Sequence, residues 1–145
     1  MKTLKVYKLL RKKKTHPGKL FPLFIGSDKP TPLGQWLTAE FLPKKGFAHR
    51  PGWHVGPLPI ADHLLRKDGT LAADRVWAEC EILAEVDYQG HANASPTKDM
   101  RNRVPLCGYY RFPRPKHQGG EWLIAGNLKI NKVLSHADVA AVLGR

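Results

Sequence analysis

The densest concentration of chemically capable residues lies in Gly46-Phe47-Ala48-His49-Arg50-Pro51-Gly52-Trp53-His54-Val55-Gly56-Pro57-Leu58-Pro59. Within a loop segment set at 44–59, it packs two histidines, an arginine, a phenylalanine, a tryptophan and three glycines. Glycine lets backbone approach a ligand closely, and an aromatic face beside Arg can hold a flat heterocycle. If Trp53–Val55 is extended, Trp53 and Val55 share one face and His54 takes the other. The plain alternative is a turn-rich connector in which Trp53 fills the core and His54 caps a strand.

Glu121 is the carboxylate that stands out. It follows Gly119-Gly120 and opens the apolar run Trp122-Leu123-Ile124-Ala125, the only acid between Asp99 and Asp138. Such a carboxylate suits a ribose hydroxyl or a developing positive charge, and a solvated strand end is the competing reading. His49, His54 and His63 show neither His-Glu-x-x-His nor any other metal-ligand spacing, so no metal site is expected. Cys80 and Cys107 are too few for a disulfide framework; Cys80 reads as a small buried residue. The phosphate-binding P-loop, the Gly-x-Ser-x-Gly elbow and the dinucleotide fingerprint are all missing from the sequence.

Charge adds a second line of evidence. The chain has 24 Lys and Arg against 12 Asp and Glu, a net charge of +12, which points to a polyanionic partner. The excess is clustered: Lys2, Lys5, Lys8, Arg11, Lys12, Lys13, Lys14 and Lys19 fall in 1–20, and Lys98, Arg101, Arg103, Arg111, Arg114 and Lys116 in 98–116. Lys12, Lys13, Lys14, Arg101, Arg103, Arg111 and Arg114 are the candidate nucleic-acid contacts, with Tyr109, Tyr110 and Phe112 available to stack on bases. A solvated turn is the alternative for Lys12–Lys14.

The elements that must carry these residues are short. With 145 residues, 42% hydrophobic and 25% charged, the chain reads as one globular domain, 1–145. Strands are expected at 4–11, 20–25, 35–41, 75–86, 106–112, 121–125 and 128–134, the clearest being the alternation of Val76, Ala78, Cys80, Ile82 and Ala84. Thr15–Gly18 reads as the first turn. Short helices are expected at 59–65 and from His136, where Ser135 and Asp138 form a capping box. The expected class is α+β, mainly antiparallel, with two or three short helices. No apolar run is long enough for a membrane span or a signal-peptide core, so a cytoplasmic protein without a membrane partner is expected, its oligomeric state open.

Three segments, in order, resemble the ADP-ribosyltransferase-like fold: Leu4–Arg11, Arg50–Gly56 with Ile60–Leu64, and Glu121–Ile130. Trp53-His54 stands where that family carries its second motif. The resemblance implies NAD as cofactor, with Lys8 or Arg11 and Arg50 on the pyrophosphate and Trp53 and His54 beside the nicotinamide. Glu121 and His54 would be the catalytic pair, with Glu121 orienting the ribose. It implies cleavage of the nicotinamide–ribose bond and transfer to a protein or nucleic-acid acceptor, as in bacterial or phage effectors. Beside it stand two other readings: a non-catalytic basic module that binds nucleic acid or inhibits a macromolecule, and a metal-independent ribonuclease using His49, His54 or His63.

Overall fold

The computed structural model describes residues 1–23, 29–39, 52–88, 104–112, 115 and 120–145. Arg50, His49, Arg101, Arg103 and Arg114 lie outside the described residues. Nine strands are seen there: β1 (Thr3–Lys13), β2 (His16–Phe21), β3 (Trp36–Thr38), β4 (Trp53–Val55), β5 (Arg75–Leu83), β6 (Val86–Asp87), β7 (Gly108–Phe112), β8 (Trp122–Ala125) and β9 (Asn127–Val133). A five-stranded sheet runs β2-β1-β5-β9-β3 and a four-stranded sheet β4-β8-β7-β6. All pairs are antiparallel except β6 with β7.

The two sheets are stitched together at several points. Tyr7 and Gly56 exchange both backbone bonds, at 2.8 and 2.9 Å, so the segment after β4 pairs with β1. Gly126 carries the chain from β8 in one sheet straight into β9 in the other, and the Ala84–Glu85 break does the same between β5 and β6. The result is a curled, half-barrel-like sheet.

Strand alternation sets the interior. Val6 and Leu10 of β1, Val76, Ala78, Cys80 and Ile82 of β5, and Leu128 and Ile130 of β9 meet Val55 of β4 and Leu123 and Ala125 of β8. The outer face of β1 and β5 is covered as well. Tyr7, Leu9 and Trp77 pack with Ala61, Trp122 and Leu134, and Val139 of the terminal helix α1 (His136–Val142) joins them. α1 begins as the sequence predicts: Ser135 Oγ accepts from the Asp138 N–H and Asp138 Oδ2 from the Ser135 N–H, each at 3.0 Å.

The fold class differs from the α+β expectation. Among the described residues the protein is mostly β, 47% strand against 9% helical, with α1 as the one α-helix. The helix expected at 59–65 shrinks to a single 3₁₀ turn, Asp62–Leu64. Pro57 and Pro59 lack N–H donors, Ala61 lies at φ −152° and Leu65 is extended, so no second turn can propagate. Ala61 and Leu64 are still buried or half-buried against the sheet, so their apolar spacing reflects packing of an irregular segment. The expected 75–86 strand is two pieces, and the first hairpin turns at Lys14-Thr15, ahead of the predicted position.

Candidate functional site

Two groups of residues bring chemistry together. The first is internal. Lys8 lies between Val6 and Leu10 on the core-facing side of β1, and it is only 8% exposed. Its Nζ donates to the His54 carbonyl at 3.0 Å and stands 5.9 Å from the Trp53 ring centroid. Trp53 Nε1 in turn donates to the Leu37 carbonyl at 3.2 Å. Burial lowers the Lys8 pKa from 10.5 to about 8, so the amine is still mostly protonated at pH 7. Cys80 is nearby, but burial pushes its thiol up to about 12 and it stays neutral. The Lys8 ammonium, the Trp53 ring and the His54 backbone carbonyl thus come together, and the His54 imidazole is not among the ammonium's contacts.

Glu121, the proposed catalytic partner of His54, is placed differently. It is exposed, immediately before β8, and its Oε1 accepts from Arg111 NH1 at 2.8 Å. Arg111 also donates to Asp87 Oδ2 from Nε at 3.0 Å and from NH2 at 2.7 Å, and its guanidinium lies 5.7 Å from the Tyr109 ring. Hydrogen bonds donated to Asp87 and Glu121 hold the Arg111 pKa above its ordinary value. Arg111 is therefore engaged by two carboxylates. Among the histidines, His63 sits in the 3₁₀ turn, edge-on to Trp122 with ring centroids 6.4 Å apart. Among the described residues, no group of three or more His, Cys, Asp or Glu gathers as a metal site.

The second group is a groove of about 620 Å³ at the β1–β2 hairpin. Its walls include Lys12, Lys13, Lys14, His16, Lys19 and Arg66, with Asp74 as the single carboxylate among the described lining residues. The hairpin supplies most of them. A register shift between Lys12 and Lys13 leaves Pro17, Gly18 and Lys19 as extra residues in β2, and such bulges re-aim side chains near sites. Lys13 Nζ lies 4.2 Å from the Phe21 ring centroid.

The opposite wall is held by local turns. The Arg66 N–H donates to the Thr70 carbonyl at 2.8 Å, and the Gly69 N–H to the Arg66 carbonyl at 2.9 Å. Asp68 Oδ1 closes the same turn by accepting from the Thr70 hydroxyl at 2.6 Å, which holds the Asp68 carboxyl below its usual range. The Lys12 N–H donates to the Asp74 carbonyl at 2.7 Å, joining both walls. Just outside, the cross-strand pair Arg11 and Arg75 shares Asp74 at 3.6 and 3.8 Å, and both Nε atoms are buried without a hydrogen-bond acceptor.

Of the sequence-predicted basic residues, Lys12, Lys13 and Lys14 converge on the groove, with Arg11 beside it. Arg111 does not take part in it. His16, Lys19, Arg66, Leu33 and Val133 complete the site and were not singled out as site residues from sequence. Only hairpin pairing would have marked His16 and Lys19; Arg66, Leu33 and Val133 arrive from distant segments. No helix among the described residues is long and apolar enough to cross a membrane. No family model, curated protein or solved structure matches the chain.

Proposed function

We propose that this chain is a nucleic-acid-binding module whose contact surface is the groove at the β1–β2 hairpin. One observation carries the reading: Lys12, Lys13, Lys14, Lys19 and Arg66 line one groove, with Asp74 the one carboxylate among its described lining residues. Lysines that line one groove repel one another, and a chain of phosphates relieves that repulsion while releasing its own counterions. Neither step needs a catalytic group.

The test is fluorescence anisotropy with a labelled oligonucleotide across a salt series. Binding should weaken linearly in log[salt]. Lys14→Gln with Lys19→Gln, both exposed positions, should flatten that slope by about 1.4, at about 0.7 per phosphate contact on a single strand. A double variant with unchanged affinity and slope would remove the groove from the account. Binding of poly-glutamate with no binding of oligonucleotide would instead make this a site for acidic protein.

An NAD-using, ADP-ribosyltransferase-like domain is the second reading, favoured by the buried Lys8 ammonium beside the Trp53 ring and the His54 backbone carbonyl. In that reading the Lys8 ammonium meets the pyrophosphate, and Glu121 leaves Arg111 to reach the ribose. Saturable NAD binding, weakened in Trp53→Leu and in Glu121→Ala, is the expected result. A protein that binds oligonucleotide and shows no saturable NAD binding excludes it.

A further inference from the structure

The groove is not only basic. Its lining also includes Leu20, Leu33, Ala73 and Val133, and two of these are large apolar side chains in the open, Leu33 at 50% and Val133 at 40% exposure. Their position is fixed by the fold. The Thr31 N–H and hydroxyl both donate to the Leu20 carbonyl, at 2.8 and 3.0 Å, and the Gly34 N–H donates to the Ile130 carbonyl at 2.8 Å. Those bonds pin the turn that carries Leu33 against β2 on one side and β9 on the other. Gly34 makes that turn at φ +74°, where a side chain would be strained.

A lining that combines apolar and cationic side chains suits a ligand with the same two-part character. A duplex does not have it: its base faces are stacked inside, and it offers the lysines its phosphates while the apolar side chains meet only water. A strand with unpaired bases offers both, phosphates to the lysines and flat heterocycles to the leucine and valine. We infer that the groove selects unpaired single-stranded nucleic acid over duplex, with Leu33 and Val133 as the base-contacting side chains. This rests on the nucleic-acid reading given above.

The experiment uses the full chain and three probes of equal length and label: a single-stranded oligonucleotide, its duplex, and an abasic strand carrying the same phosphates without bases. Each is titrated against the unaltered protein and against Leu33→Ser, an exposed turn position. The single strand should bind more tightly than duplex or abasic strand at equal salt. Leu33→Ser should weaken the single strand about fivefold, the size expected for losing part of one leucine's burial. It should leave the abasic strand and both salt slopes unchanged. Duplex binding as tight as single strand, or a Leu33→Ser effect that is nil or equal on base-bearing and abasic probes, overturns the inference while leaving the basic groove intact. If none of the three probes binds at low salt, the nucleic-acid reading itself falls, and this inference with it.

Discussion

A protonated amine inside an apolar sheet is a cost unless something offsets it, and Lys8 has little to do so. One carbonyl and one ring face receive its ammonium, between Val6 and Leu10. The lowered pKa measures the remaining imbalance: about 8 when folded against 10.5 when unfolded. Below pH 8 both states hold the proton and the penalty is complete. From pH 8 to 10.5 the folded state loses it first, and stability rises with pH until the penalty vanishes. The shift corresponds to about 3 kcal/mol at most. Lys8→Met should therefore stabilise the protein at pH 7 by about 2 kcal/mol, after allowing about 1 kcal/mol for the His54 carbonyl left unpaired. The gain should shrink by pH 10, as read by urea unfolding at the two pH values. Equal destabilisation at both would show that the ammonium is well accommodated. Such a residue is legible in the sequence to a degree. The alternation Val6-Lys8-Leu10 places Lys8 on the core face, but nothing local names Trp53 and His54 as its neighbours.

Elements are where the sequence is read most and least faithfully. The β5 alternation and the Ser135/Asp138 capping box are local patterns, and both appear in the structure as expected. The expected helix at 59–65 fails because apolar spacing cannot separate a short helix from an irregular segment packed on a sheet. The groove is the harder case: Lys12–Lys14 are adjacent in sequence, whereas Arg66, Leu33 and Val133 reach them only through the sheet order. That order depends on corners such as Gly126. A Cβ there would collide with the Pro105 carbonyl and the Leu106 Cα, because the segment before β7 crosses directly over the β8–β9 corner. Backbone rather than a flexible side chain is in the way, so the corner must open. Gly126→Ala should lower stability by about 2 to 3 kcal/mol, the usual cost of overpacking a close site. Thermal unfolding checks it, with Gly18→Ala as a contrast: it meets open space and only the strain of φ +79°. If the two variants lose the same amount, the steric account of the corner is wrong.

At the scale of the whole molecule, several acids among the described residues are engaged away from the hairpin. Glu79 pairs with Lys5 at 3.6 Å and lies opposite Lys132, Glu81 lies opposite Lys5 and Lys129, and Asp87 and Glu121 hold Arg111. Acids that pair across strands are unavailable to the hairpin, so Lys12, Lys13, Lys14, Lys19 and Arg66 face Asp74 as the one carboxylate among the described lining residues of the groove. Salt then acts in opposite directions on the free and bound protein. In the free protein it weakens exposed ion pairs worth little each, and it also screens the lysine repulsion, which is the larger effect at this net charge. The melting temperature should therefore rise by a few degrees between low and high salt. In the complex the same salt lowers affinity. A saturating oligonucleotide, stabilising by about 2.7 kcal/mol at a hundred times its Kd, should raise the melting temperature at low salt and lose that advantage as salt increases. Two melting series against salt, with and without oligonucleotide, should converge from opposite sides. A free-protein curve that falls with salt would mean that the cross-strand pairs outweigh the repulsion at the hairpin, and that the groove needs no polyanion to be stable.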